Sequence, residues 1–270
     1  MMKVDLHVHT TYSDGDFTLE EILSMASRLK LDEIAITDHD TIENLSEVDD
    51  LSLRYGMKVI AGVEVATNVS GMHLLGYGVK NFSAVESFLR RYRELNKSGA
   101  EQTIRILKEE GVDISIKGVE DVMTSDIISK RDIVRYMIQH GYASTTLEVY
   151  KKYIGRGNYA YVPVHKMNFE EVLELIEDSG GFSVLAHPYT LNEKLNLHVL
   201  IPYMMNHGLK GIETNTVRHS QEQKEFFSKI AKRYNLFETA GTDFHQDING
   251  SKLGVEVDDD FLKNFNELIT

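Results

Sequence analysis

Short apolar runs alternate along this chain with segments of helical period, and that alternation restricts the fold more than any other feature. The runs KVDLHV (3–8), EIAIT (33–37), KVIAGVEVA (58–66), HLLGYGV (73–79), FSVLAH (182–187), GIET (211–214) and LFETAG (236–241) have the length and residue types of strands. Between them, residues 18–30, 43–55, 168–179, 194–206 and 220–234 read as helices. The first of these opens on Thr18 with Glu21 three residues on, a capping-box pattern. Strand alternating with helix predicts parallel β/α architecture, here a β/α barrel. Residues 83–160 break the rhythm. They read as consecutive helices near 83–110, 117–124, 130–140 and 145–153, without a strand pattern. The expected organisation is a barrel built from residues 1–82 and 161–270, with 83–160 inserted as a helical subdomain.

Polar residues recur where the strands finish. On a regular strand, Asp5, His7 and His9 of DLHVHT share one face, while Val4, Leu6 and Val8 share the other. Imidazoles are costly to bury without partners, so two on one strand face need a reason. Asp14 follows closely. His39 comes after EIAIT in TDHD, Glu64 sits inside GVEV, and His73 opens HLLGYGV. His187 ends FSVLAH, and Asp243 and His245 lie in GTDFH. Strand ends of a β/α barrel converge on one mouth, where active sites are built. Any one of these residues alone reads as a hydrogen-bonded structural residue. Six of the 11 histidines in such positions, with three carboxylates beside them, read as a site.

The chain has no cysteine, which excludes disulfides and thiolate ligands. Nine nitrogen and oxygen donors suit a multinuclear hydrolytic centre for Mn²⁺, Fe²⁺ or Zn²⁺ ions. Asp5, Asp38 and Asp40 are candidates to orient the imidazoles, with Asp38 or Asp40 equally suited to cap the following segment. His140, His165, His198, His207 and His219 lack strand-end placement and read as surface or packing residues.

The net charge of −13 argues against general binding to nucleic acid or an anionic membrane. It is unevenly spread: residues 90–156 hold 13 Lys and Arg against 10 Asp and Glu. No apolar run approaches the ~20 residues of a membrane span. MMKVDLHVHT moves directly into a strand pattern, so the expected location is the cytoplasm. No membrane association and no stable protein partner are expected.

DLHVHT, TDHD, GVEV, LAHP and GTDFH, in this order, resemble the motifs of the polymerase-and-histidinol-phosphatase (PHP) superfamily. The resemblance implies a distorted (β/α)7 TIM-like barrel with a trinuclear metal centre that hydrolyses phosphoesters through a metal-activated hydroxide. Carried over by motif, His7, His9, Glu64 and Asp243 hold one metal. Glu64 bridges to a second held by His73 and His187, and Asp14, His39 and His245 hold the third. Glu64, Asp243 and Asp14 are then the carboxylates on which catalysis depends. SKRDIVRYMIQHGY (129–142), YKKYIGRGNYAYVP (150–163) and GGFSVLAHP resemble a PHP subgroup active on nucleotides. It includes nucleoside 3′,5′-bisphosphate phosphatases and 5′→3′ exoribonucleases acting on short RNA, and it carries an inserted helical cap. The resemblance implies a small phosphorylated substrate: AMP, a nucleoside bisphosphate or 5′-phosphorylated RNA. In that reading Lys130, Arg131 and Arg135 meet a second phosphate, and Ser129 joins them at a helix start. Two alternatives stand beside it. The insertion argues against a histidinol-phosphate phosphatase, and the complete ligand set argues against a non-catalytic metal-binding scaffold.

Overall fold

The structure, a computed structural model, describes residues 1–42, 48–123, 127–246 and 252–269. The chain forms two compact units, residues 1–87 with 167–270, and residues 88–166.

The first unit begins with β1 (Met2–Val8), α1 (Leu19–Arg28), β2 (Glu33–Ile36), α2 (Val48–Tyr55), β3 (Lys58–Ala66) and β4 (His73–Tyr77). Thr18 and Glu21 form the expected capping box on α1. The segment 43–47, expected as the start of a helix, lies outside the described residues, as does residue 124. Next comes α3 (Phe82–Glu109), which starts in this unit and runs on into the other.

The second unit continues with α4 (Ile116–Glu120), α5 (Lys130–Gln139), α6 (Thr146–Val149) and a π-helical turn at Tyr150–Ile154. Its core gathers Ala100, Ile104, Leu107, Val119, Ile133, Met137, Val149 and Ile154 from all of these elements. Among the described residues it contains no strand.

The first unit resumes with α7 (Phe169–Asp178), β5 (Phe182–Leu185), α8 (Leu197–Met205), β6 (Leu209–Thr216), α9 (Gln221–Tyr234), β7 (Phe237–Gly241), β8 (Val255–Val257) and α10 (Lys263–Ile269). The strands pair in the order β7-β6-β5-β4-β3-β2-β1-β8. Pairing is parallel from β1 to β3 and from β5 to β7. The expected parallel pattern fails at β4, which runs antiparallel to both neighbours. Only residues 67–72 join it to β3, too few for the crossover that a parallel pair needs. The short β8 pairs antiparallel with Met2–Val4 of β1. Farther along β1 the ring closes against the end of β7. The His9 N–H donates to the Phe244 carbonyl at 2.9 Å, and the Phe244 N–H donates to His7 O at 3.3 Å. The result is a nearly closed α/β barrel.

Its interior is filled by Val4, Leu6, Ala35, Ile60, Leu75, Tyr77, Phe182, Val184 and Phe237, drawn from strands all round the sheet. Phe265 of α10 joins them, with its ring 5.3 Å from Tyr77 and 5.5 Å from Phe182. A second cluster sets Val8, Ile34 and Ile36 against Ile22, Leu23 and Ala26 of α1. Strict alternation along β1 therefore fails once. Its register against β2 shifts between Asp5 and Val8, so Val4 and Leu6 pack in one cluster and Val8 in the other. Among the described residues, no helix is long and apolar enough to cross a membrane.

Candidate metal centre

All nine expected ligands lie in the first unit, at or just past the ends of β1, β2, β5 and β7, within β3, and at the start of the reversed β4. His7 and His9 are fully buried. Their Nε2 atoms lie 3.2 and 3.1 Å from Glu64 Oε2, and 3.5 and 3.3 Å from Asp243 Oδ1. A cation bound tetrahedrally at about 2.0–2.2 Å holds its donors about 3.3–3.6 Å apart, so the spacing fits a shared metal. His7 Nε2, His9 Nε2 and Glu64 Oε2 have no hydrogen-bond partner. Buried polar atoms left so are expensive, and a cation among them would satisfy all three.

The other oxygen of Glu64 faces elsewhere. Oε1 lies 2.8 Å from His73 Nδ1 and 2.8 Å from His187 Nε2. A third set gathers on Asp14, with His245 Nε2 at 3.3 Å, His9 Nδ1 at 3.7 Å and His39 Nε2 at 3.8 Å. Among the described residues, three sets have all their donor atoms within 4.8 Å of one another: His7, His9, Glu64 and Asp243; His9, Asp14, His39 and His245; and His39, Glu64 and His73. The grouping differs in detail from the one the motifs imply. His9 belongs to two sets, and His39 stands between Asp14 and Glu64, 3.3 Å from Glu64 Oε2.

The electrostatics follow from this crowding. Burial would push His7 down, but Glu64, Glu213 and Asp243 outweigh it and hold the imidazole well above its ordinary range. His9 is likewise carried up to about 10 against burial, by Asp243, Glu64 and Asp14. Burial would raise Glu64, yet His39, His7 and His187 hold it well below the usual carboxylate range. The carboxylates thus draw positive charge to this mouth, as protons or as metal. The backbone is also strained here: Asp40, His187 and Asp243 have φ of 57°, 25° and 53°. Left-handed conformations at non-glycine residues cost about 1–3 kcal/mol each and cluster at functional sites.

The surrounding groups were only partly foreseen. Asp5 accepts from the Thr242 N–H at 2.9 Å, the Thr242 hydroxyl at 2.6 Å and the Gly254 N–H at 2.8 Å. Asp38 accepts from Thr10 N–H, Thr10 Oγ1 and Ser13 Oγ at 2.6–2.8 Å. Both therefore fix loops of the mouth rather than imidazole rings. The carboxylate beside an imidazole is one that sequence reasoning missed, Glu213 on β6. Its Oε1 lies 3.2 Å from His7 Nδ1, and its Oε2 accepts the His187 N–H at 2.7 Å. The available signal was an acidic residue in the apolar run GIET. Thr190 steadies the other ring, with its hydroxyl 3.0 Å from His187 Nδ1.

The four residues expected to bind substrate lie in the second unit, on and around the start of α5. Ser129 caps α5 and shares Asp132 through its N–H at 2.8 Å and its hydroxyl at 2.7 Å. Asp132 thereby occupies the helix start that was expected to attract an anion. Lys130 donates to the Val162 carbonyl and lies 5.3 Å from the centre of the Tyr161 ring. Arg135 lies 3.3 Å from Asp132 Oδ1. Arg131 is partly exposed on the first turn of α5.

A barrel mouth with overlapping sets of nitrogen and oxygen donors, two of them sharing Glu64 and the third tied to them through His9 and His39, suits a metal-dependent hydrolase. The PHP domain family matches residues 5–182, and the chain belongs to that family. It is 28% identical over 257 residues to the 5′-3′ exoribonuclease Rnm of Escherichia coli K12, covering 93% of this chain and 87% of that protein. It is also 28% identical to the 3′,5′-nucleoside bisphosphate phosphatase of Chromobacterium violaceum, covering 93% and 90%. Identity is 27% with the phosphoribosyl 1,2-cyclic phosphate 1,2-diphosphodiesterase of Eggerthella lenta, covering 89% and 93%. Among solved structures, an amidohydrolase from Chromobacterium violaceum with bound sulfate and no metal superposes with a TM-score of 0.84. That pair is 26% identical and covers 98% of this chain and 95% of the other.

Proposed function

We propose that this PHP-family phosphohydrolase hydrolyses the phosphate esters of nucleotides (AMP or a nucleoside 3′,5′-bisphosphate) or of short 5′-phosphorylated RNA in the cytoplasm, using up to three Mn²⁺, Fe²⁺ or Zn²⁺ ions. The observation that carries the reading is the divided use of Glu64. One oxygen meets His7, His9 and His39 while the other meets His73 and His187, as in a carboxylate shared between neighbouring metals. His7, His9, Glu64 and Asp243 would hold one ion, Glu64, His73 and His187 a second, and Asp14, His39 and His245 a third. Such ions supply Lewis acidity, bringing the pKa of a water toward neutrality and offsetting charge on phosphoryl oxygens. The protein's own part is to keep the donors in place. Glu213 fixes the His7 ring so that Nε2 faces inward, Thr190 fixes His187, and the Asp38 and Asp5 networks pin the loops carrying His9 and Asp243.

The nucleotide assignment draws support from the relatives that span nearly the whole chain and from the basic balance of residues 90–156. Residues 83–160 are proposed as the substrate-selecting subdomain, with Arg131 as its contact to a second phosphate. The test is turnover of the Mn²⁺-loaded protein on AMP, pAp, 5′-phosphorylated RNA oligomers, histidinol phosphate and a ribose 1,2-cyclic phosphate. The expected result is the highest kcat/KM on pAp or RNA. Preference for histidinol phosphate or the cyclic diester overturns the substrate assignment, and metal binding without any turnover favours a scaffold.

A further inference from the structure

We infer that Arg218 binds the phosphoryl group of the substrate beside the metal-binding residues. The inference rests on the phosphohydrolase reading above. Arg218 lies past the end of β6, two residues before Ser220, the cap of α9. Its Nη1 is 2.8 Å from Asp243 Oδ2. The opposite oxygen of the same carboxylate, Oδ1, is the one that faces His7 and His9. The guanidinium therefore stands one carboxylate away from the donors of the first metal set.

Asp243 is 7% exposed but the Arg218 side chain is 49% exposed. A guanidinium has five N–H donors in a planar fork, so donors remain to face solvent at the mouth after one is given to Asp243. The fork matches two oxygens of a phosphate group. Tyr189 stands near the guanidinium and, with Asp243, favours its charged form against burial. Tyr189 in turn packs edge-on against the buried His219, at 5.3 Å.

The segment carrying Arg218 is anchored on both sides. The Arg218 N–H donates to Thr216 Oγ1 at 3.3 Å, and the His219 N–H to the Thr216 carbonyl at 3.2 Å. His219 Nδ1 lies 2.9 Å from the Thr214 carbonyl, and its ring packs on Phe227. The arginine is thus preorganised, and little is lost in ordering it around a ligand. A half-exposed ion pair with Asp243 adds little stability, so folding alone gives no strong reason for the residue. A tetrahedral dianion entering a mouth lined by Asp14, Glu64 and Asp243 does give one. Arg218 supplies fixed positive charge at Asp243 Oδ2, on the carboxylate whose other oxygen faces His7 and His9.

The test uses the Mn²⁺-loaded full chain as wild type, Arg218→Ala and Arg218→Lys. Three quantities are measured: metal content, Kd for inorganic phosphate by calorimetry, and kcat/KM on pAp. Arg218→Ala is expected to keep its metal, to bind phosphate about tenfold more weakly and to lose about 10- to 100-fold in kcat/KM. Lysine should restore part of the affinity, since it keeps the charge without the fork. Unchanged phosphate affinity in a folded, metal-loaded Arg218→Ala protein overturns the inference. So does loss of metal in step with activity, which reduces Arg218 to a prop for Asp243. Should wild type bind phosphate through Arg218 yet turn over no phosphoester, the functional reading fails while the binding site stands.

Discussion

Replacing Glu213 by glutamine should disable the metal centre without touching a proposed ligand. The carboxylate is buried, with one oxygen 3.2 Å from His7 Nδ1 and the other accepting the His187 N–H at 2.7 Å. Both neighbours can donate, and a carboxylate serves both. Glutamine has one oxygen and one NH₂. With the oxygen toward His187, the NH₂ faces His7 Nδ1 and makes it an acceptor. The proton then moves to Nε2, the atom that must be bare to bind metal. With the amide turned over, the buried His187 N–H loses its acceptor, at a cost of about 1–3 kcal/mol. Either orientation is unfavourable, and removing a partner of this kind typically costs 10–100-fold in metal affinity or activity. Competition with a chromophoric chelator reads the affinity, and pAp turnover at saturating Mn²⁺ reads the activity. Glu213→Gln is expected to bind metal at least about tenfold more weakly, with a melting curve close to wild type. Affinity and turnover both within twofold of wild type would refute the claim that Glu213 sets the His7 tautomer.

Glu64→Gln should lower turnover by about 10²-fold or more, since both oxygens are engaged, whereas His140→Asn, at the exposed end of α5, should leave kcat/KM unchanged. Steady-state kinetics on the two folded variants decides this. Metal affinity should rise with pH through the neutral range, because the carboxylates hold His7 and His9 protonated above their ordinary pKa when no cation is present. Calorimetry in buffers of different ionisation enthalpy should show proton release on Mn²⁺ binding, and dialysis at pH 5 should strip metal that is retained at pH 8. Gly241→Ala should destabilise by about 1–3 kcal/mol in denaturant unfolding, since a Cβ there would lie 2.5 Å from His7 Cβ and 3.0 Å from Glu213 Oε1.

The barrel strands were legible because each pairs a short apolar run with bounding turns, and the ligands because imidazoles are out of place on such runs. The reversal of β4 was written in the short 67–72 link, yet alternation of elements concealed it. β8 and α10 are brief, and their patterns depend on the barrel they complete; Phe265 looks unremarkable until the rings of Tyr77 and Phe182 surround it. Glu213 and Arg218 escaped for a related reason. A glutamate in GIET or an arginine before a helix cap reads as solvated until the fold brings His7 or Asp243 beside it. Asp5 and Asp38 were noticed, but their true partners are backbone N–H and hydroxyl groups of distant loops, which residue spacing does not encode.

The closure of β1 against the end of β7 bears on how the enzyme is made. Asp5 finds its partners 237 and 249 residues downstream, and Phe244 pairs with the strand that carries His7 and His9. A ribosome delivers the amino-terminal part of a chain first, at about 5–20 residues per second. A nascent chain with His7, His9, His39, Glu64 and His73 already emerged still lacks Asp243 and His245, and β1 still lacks the neighbour that completes the ring. A product cut short before residue 243 keeps seven of the nine expected donors, with the His39, Glu64 and His73 set intact in sequence, but lacks the Asp243 and His245 that complete the other two sets.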